Sequence, residues 1–296
     1  MFEGIVGNRK VKELLQNSIK ENRTSHSYLF IGIDGIGKKL IAKEFAKMLL
    51  CLNDDKYCNK CKSCIEFSSN NNPDFLYIEP DGNSIKIEQI RYIQRKIQEK
   101  PIISNKKVYI VNDADKMTTE AQNALLKTLE EPPEYATIIL IGSNENTFLT
   151  TIKSRCMIIH FENIKDQEVK EYLQKNYNID NISQNMLSIF QGSIGKAITL
   201  KDKYNQYEQI EKIIRNLNQV DIIELIKMSE IIYKSKDEIF DILDYINVIL
   251  LRLSNEDYKY VNCINIIEDT KKRLKRNANY DMSIDNMLFN IWEEVN

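Results

Sequence analysis

The chain has 296 residues, enough for one to three domains and a sizeable buried core. Hydrophobic residues make up 43% and charged residues 28%, ordinary values for a soluble globular protein. A formal net charge of −2 excludes a wholly basic, nucleic-acid-coating protein but leaves room for a local basic patch.

The N-terminus, MFEGIVGNRK, has no apolar h-region, and no uncharged apolar stretch reaches the ~18 residues of a membrane span. The expectation is a cytoplasmic protein with no membrane association. Helical periodicity covers residues 10–20, with Val11, Leu14, Leu15 and Ile19 on one face. A short apolar strand follows at 27–32, then a helix at 40–50 with Ile41, Phe45, Ala46 and Leu49 facing inward. A strand is expected at 75–79, a helix at 87–100 closed by Pro101, and a β-branched strand at 107–112. A helix at 119–131 stops at Pro132-Pro133, and strands follow at 136–141 and 157–161. Strands separated by helices predict an α/β domain with a parallel sheet covered on both faces. After Phe161 the strand signals end. Short helices are expected at 166–177, 185–190 and 192–200, and the text is all helical from 206. Residues 237–253 are apolar around most of the helix, with Ile239, Phe240, Ile242, Leu243, Ile246, Ile249, Leu250 and Leu253, so enclosure is expected, either in its own bundle or across a subunit contact. These shifts divide the chain at 1–162, 163–205 and 206–296.

Four of the six cysteines, Cys51, Cys58, Cys61 and Cys64, follow the spacing C-x6-C-x2-C-x2-C. Two C-x2-C steps can arrange thiolates tetrahedrally around Zn²⁺, and four cysteine ligands make a closed, structural site. A redox C-x-x-C pair or unrelated thiols are the alternatives. Cys156 and Cys263 read as buried free thiols, and His26 and His160 as structural.

Residues 32–39, GIDGIGKK, satisfy the phosphate-loop pattern at Gly32, Gly37 and Lys38, with Gly35 inside the loop. The loop follows a strand and opens a helix, so its N–H groups can hold phosphate oxygens. Its last position is Lys39, which has no hydroxyl for Mg²⁺. The strand at 107–112 ends in Asn112-Asp113, a neutral amide where a metal-holding Asp is usual and a shorter acid where a water-activating Glu is usual. Two losses around one ion argue against hydrolysis here. Arg155, in Ser154-Arg155-Cys156, reads from residue chemistry alone either as a phosphate-reaching arginine or as a salt-bridged surface residue. Arg91, Arg95 and Lys96 lie on one predicted helix, with Arg91 and Arg95 sharing a face. They are candidates for phosphate-backbone contact with DNA, or a solvated helix face.

The segments QNALLKTLEEPP (122–133), TIKSRC (151–156) and IEQIR (87–91), with the four-cysteine module, resemble bacterial clamp-loader subunits of the AAA+ class. The resemblance covers nearly the whole chain, is dense over 1–200, and is only architectural beyond 206. It implies a RecA-like domain, a small helical lid and a helical collar that joins subunits in a pentameric ring. It implies a trans-acting arginine finger at Arg155, a device worth roughly 10³–10⁵ in rate. It further implies that Gly195 stands where active subunits carry a sensor arginine, with Lys196 beside it, and that Ser143 or Asn144 occupies the sensor-1 position. The implied partners are the tau/gamma motor subunits and the delta subunit, and indirectly the sliding clamp and primed DNA. ATP in the chain's own site would be weak or absent. The competing expectations are an ATP-hydrolysing tau/gamma motor and a module that holds ATP statically.

Overall fold

The computed structural model describes residues 1–53, 57–219 and 221–296. These form two compact units, Met1–Tyr172 with Ser193–Gly195, and Leu173–Gly192 with Lys196–Asn296.

The apolar runs of the first unit become strands because each can bury both faces. They are β1 (Ser27–Ile31), β2 (Phe75–Ile78), β3 (Lys107–Val111), β4 (Ala136–Gly142) and β5 (Met157–His160). Among the described residues they make a parallel sheet in the order β2-β3-β4-β1-β5. The helices of this unit are α1 (Arg9–Lys20), α2 (Lys38–Leu50), α3 (Lys62–Ser68), α4 (Ile87–Ile97), α5 (Thr119–Glu130) and α6 (Thr150–Lys153). On one sheet face, Leu29, Tyr109, Val111, Ile138 and Leu140 pack against Ile90 and Ile93 of α4 and Leu125 and Leu129 of α5. On the other, Tyr28 lies edge-on to Phe45 of α2 at 5.2 Å. The parallel sheet of an α/β domain is therefore as the sequence leads one to expect. Truncating a fully buried member such as Leu125 to Ala should cost about 2–5 kcal/mol.

Several boundaries shift by one to three residues from expectation, two of them with a clear local cause. α2 starts at Lys38, two residues early, because Gly37 takes a left-handed conformation (φ 95°) and caps it. α4 ends at Ile97, where the chain already turns toward Pro101. Between α3 and β3, the carboxylate of buried Asp74 accepts the backbone N–H groups of Ile102, Ile103 and Ser104, each at 2.7 Å. Ser104 in turn bonds Ser63 of α3. This network ties the cysteine segment to the sheet.

The chain continues through α7 (Asp166–Tyr177), α8 (Gln184–Phe190), α9 (Ile194–Leu200), α10 (Tyr204–Arg215), α11 (Ile222–Tyr233), α12 (Ile239–Leu253), α13 (Tyr260–Lys275) and α14 (Tyr280–Val295). The second unit is helical throughout its described residues. α12 is central, packing on α8, α10 and α13. Glu211 of α10 accepts hydrogen bonds from Asn185 (2.6 Å), Arg215 (2.9 Å) and Tyr245, joining α8, α10 and α12. α12 is not enclosed on every side: Phe240 is 39% exposed and faces Lys275, and Leu251 is also exposed. No helix among the described residues is long and apolar enough to cross a membrane.

Candidate functional site

The phosphate loop leaves β1 and turns into α2 through left-handed Gly35 (φ 78°) and Gly37. Lys38, only 6% exposed, does not point outward. Its ammonium donates to the carbonyls of Gly32 and Ile33 (2.8 Å to the latter) and to Asp34 Oδ1 at 3.3 Å. The cation that would meet β- and γ-phosphates is thus bonded within its own loop.

The segment Ser193–Gly195, in the same unit, closes over that loop. Ser193 Oγ donates to the Asp34 carbonyl at 2.7 Å, and the Gly195 N–H to the Gly35 carbonyl at 2.9 Å. A Cβ on Gly195 would stand 2.7 Å from Gly35 Cα, and one on Gly35 would stand 2.9 Å from Gly195 Cα. The position expected to have lost an arginine is one where the backbone approach admits no side chain. Sequence reading alone missed this clasp, which joins residues far apart in the chain.

Lys39 Nζ lies 4.8 Å from the centre of the Tyr77 ring and 3.8 Å from Glu79, and Lys43 Nζ lies 4.9 Å from the centre of the same ring. Burial, followed by Glu79, pushes the Tyr77 phenol well above its usual range. Asn112 donates to Asp113 at 3.1 Å, and Lys116 reaches the other Asp113 oxygen at 3.3 Å. The acid with a longer-range partner is Asp115, unnoticed in the sequence: it accepts both Ser143 Oγ (2.6 Å) and Ser143 N–H (3.2 Å). Asn144 instead caps its own turn through the Asn146 N–H. Lys196 pairs with Asp241 at 2.6 Å in the second unit. Alongside the loop, a groove of about 770 Å³ is lined by Gly7, Asn8, Lys12, Ile158, His160 and Lys165.

Arg155 sits just beyond α6. Its backbone carbonyl accepts Ser27 Oγ at 2.6 Å, which fixes the main chain to β1. Nη1 donates to Thr151 O (2.9 Å) and Ser154 Oγ (3.2 Å), and Nη2 meets Glu130 Oε1 at 2.6 Å. The pair is part-exposed, with side chains 32% and 48% accessible. Upstream, Gln122 (4% exposed) donates to Thr147 O at 3.0 Å and accepts the Leu149 N–H at 2.9 Å, binding the start of α5 to the start of α6. Cys156 is half-buried, not fully buried as expected, and burial pushes its thiol up to about 11. Cys263 is buried. His160 is exposed and hydrogen-bonded to Glu145 at 2.8 Å. His26 contributes its carbonyl to the Ile138 N–H at the start of the β1–β4 pairing.

The sulfurs of Cys51, Cys58, Cys61 and Cys64 all lie within 4.8 Å of one another. Cys51–Cys58 and Cys58–Cys64 are 3.6 and 3.9 Å apart. Tetrahedral zinc with Zn–S bonds near 2.3 Å requires S···S separations of about 3.8 Å, so the donor set fits a metal such as zinc. Cys58 Sγ accepts the N–H groups of Lys60 and Cys61, which lower its pKa to about 6 and favour the ligating thiolate. On α4, Arg91 and Arg95 are exposed, whereas Lys96 is paired with Glu99 at 2.9 Å.

The family described as "DNA polymerase III, delta subunit" matches residues 7–165, over half the chain. DNA polymerase III subunit delta′ of Bacillus subtilis is 34% identical over 207 residues, covering 70% of this chain and 63% of that one. DNA polymerase III subunit tau/gamma of Haemophilus influenzae is 32% identical over 210 residues, covering 68% of this chain and 30% of its own. The chain thus matches less than two thirds of the length of these relatives. A Thermotoga maritima gamma subunit-related structure aligns over 96% of this chain and 99% of its own at 22% identity, with a TM-score of 0.46. By the family match and the delta′ relative together, the chain belongs to the DNA polymerase III delta-prime family of clamp-loader proteins.

Proposed function

We propose that this chain is a non-hydrolysing, stator-type subunit of the DNA polymerase III clamp loader. It supplies Arg155 in trans to the ATP site of a neighbouring tau/gamma subunit. One contrast carries the reading: the ammonium of Lys38 is bonded into its own loop, while the Arg155 guanidinium stays at the surface on a fixed backbone. An arginine finger needs the second arrangement, since it must meet charge developing on a phosphoryl group held elsewhere. The first is unsuited to hydrolysis, because Lys39 and Asn112 also remove the hydroxyl and carboxylate that hold Mg²⁺.

In this reading the chain is divided into a RecA-like domain (1–162), a lid (163–205) and a collar (206–296). It joins tau/gamma and delta subunits in a pentameric ring that loads the sliding clamp on primed DNA in the cytoplasm. Cys51, Cys58, Cys61 and Cys64 hold a structural zinc ion. Arg91 and Arg95 offer sequence-independent phosphate contacts. Gly32, Gly35, Gly37 and Lys38 persist as a structural loop with little or no affinity for ATP.

The test is ATP turnover by the reconstituted loader with clamp and primed DNA, comparing wild type with Arg155→Ala, and the isolated chain as control. We expect a silent isolated chain and a fall of about 10²-fold or more at the neighbouring site. Turnover by the isolated chain would favour the tau/gamma motor reading, and tight ATP binding without turnover the static module. An assembly indifferent to Arg155 would leave a scaffold.

A further inference from the structure

We infer that Glu130 is a positioning residue for Arg155. It holds the guanidinium at the end of α6 in an ordered arrangement before a neighbouring phosphate arrives. The inference rests on the finger reading above and extends it to a second side chain.

Glu130 is the last residue of α5, and Pro132-Pro133 forbid the helix from continuing. Its carboxylate therefore sits at a fixed helix end. The other end of α5 is fastened to the start of α6 by buried Gln122, through Thr147 and Leu149. Arg155 has its backbone fixed by Ser27 Oγ on β1 and by its own N–H to Ile152 O. Carboxylate and guanidinium are thus carried on elements whose separation is set by other contacts. The 2.6 Å ion pair closes the last degree of freedom, the arginine side chain itself.

A long arginine loses rotamer freedom when it engages a phosphate, and one already held loses less. The guanidinium has five N–H donors, and the contacts to Thr151, Ser154 and Glu130 engage only its two terminal nitrogens, so donors are left for a phosphate. Against this stands repulsion between Glu130 and an incoming anion. Both partners of the pair are part-exposed, so solvent and salt screen that repulsion. The fixed geometry persists when the charge is screened, so the positioning effect is the larger one.

The experiment is steady-state ATP turnover by the reconstituted loader with clamp and primed DNA. The variants in this chain are Glu130→Gln, Glu130→Asp, Arg155→Ala and the Arg155→Ala/Glu130→Gln pair. Glu130→Gln should lower kcat about fivefold with KM for ATP little changed, the size of effect a part-exposed ion pair can supply. Glu130→Asp should retain more of the rate than Gln does. In the Arg155→Ala background, Glu130→Gln should cost nothing further, a non-additivity that a merely structural role would not give. Glu130→Gln that raises turnover would mean the contact restrains the arginine, and would overturn the inference. So would an unchanged rate, or the same fold-loss in both backgrounds. If Arg155→Ala alone leaves turnover unchanged, the finger reading falls first and takes this inference with it. An active Arg155 with an indifferent Glu130 sinks only the inference.

Discussion

The phosphate-loop edge and the arginine edge lie in one folded unit and use their cations in opposite ways. At the loop, Lys38 is turned inward onto carbonyls, Lys39 lies over Tyr77, and Gly195 and Gly35 meet backbone to backbone. At the arginine edge, the side chain is held by surface contacts while the backbone is anchored in the sheet. One edge has spent its polar groups on the fold. The other keeps them at the surface on a rigid base. A loop-and-helix junction of the kind that suits a phosphate can equally hold a lysine ammonium and a second stretch of backbone.

Three perturbations probe that contrast. The largest effect should come from the thiols behind the phosphate-loop edge, since Cys51 directly follows α2. Chelation of a stoichiometric zinc ion, or Cys58→Ser, should lower the melting temperature by roughly 10 °C, about 3–4 kcal/mol for a chain of this size. A metal-free protein that melts at the same temperature as the untreated one would separate the cysteines from the fold's stability. Next is Gly195→Arg, which introduces the residue type that the clamp-loader resemblance implies for active subunits. The clash with Gly35 should open the clasp and cost about 2–4 kcal/mol, read by chemical denaturation, without conferring ATP binding in a calorimetric titration. A stable variant that binds ATP would mean the loop is merely covered and its lysine can turn outward.

The smallest effect is at the arginine edge. Burial raises the Cys156 thiol to about 11 from an ordinary 9.0. A thiol raised in the folded state favours folding at pH values below 9. That contribution is lost as pH rises from about 9 to about 11, where the unfolded chain ionises first. Iodoacetamide should accordingly label Cys156 slowly at pH 8 and faster toward pH 11, as followed by peptide mass. Labelling at pH 8 at the rate of a free thiol would show an edge looser than the contacts to Ser27 and Glu130 imply.

Much of this was legible in the sequence, and the remainder has a common cause. Continuous apolar runs such as 136–141 identify strands because only a doubly covered sheet can bury them. The cysteine spacing alone placed four thiols together. The missing hydroxyl at Lys39 and the missing carboxylate at Asn112 are chemical facts that need no coordinates. What could not be read are contacts between polar residues distant in sequence: Asp115 with Ser143, Glu130 with Arg155, Ser193 with Asp34. Hydrophobic periodicity reports which face is buried, and says nothing about which polar groups meet on the other. For the same reason composition around the 237–253 helix did not reveal which side, here that of Phe240, the chain's own bundle leaves uncovered. Arg155 shows a subtler gap. Finger and salt-bridged residue stood as alternatives, yet the side chain is ion-paired in a geometry that does not prevent it from serving a neighbour.

The close approach of Gly35 and Gly195 also bears on what this chain can become. Any side chain at either glycine collides with the other's backbone, so an arginine cannot be regained there one mutation at a time without a destabilised intermediate. Regaining a hydroxyl at residue 39 or a carboxylate at residue 112 would leave Lys38 still bonded to its own loop. The clasp therefore works as a ratchet against single substitutions: a side chain at residue 35 or 195 meets the opposite backbone, and no one change elsewhere in the loop releases it.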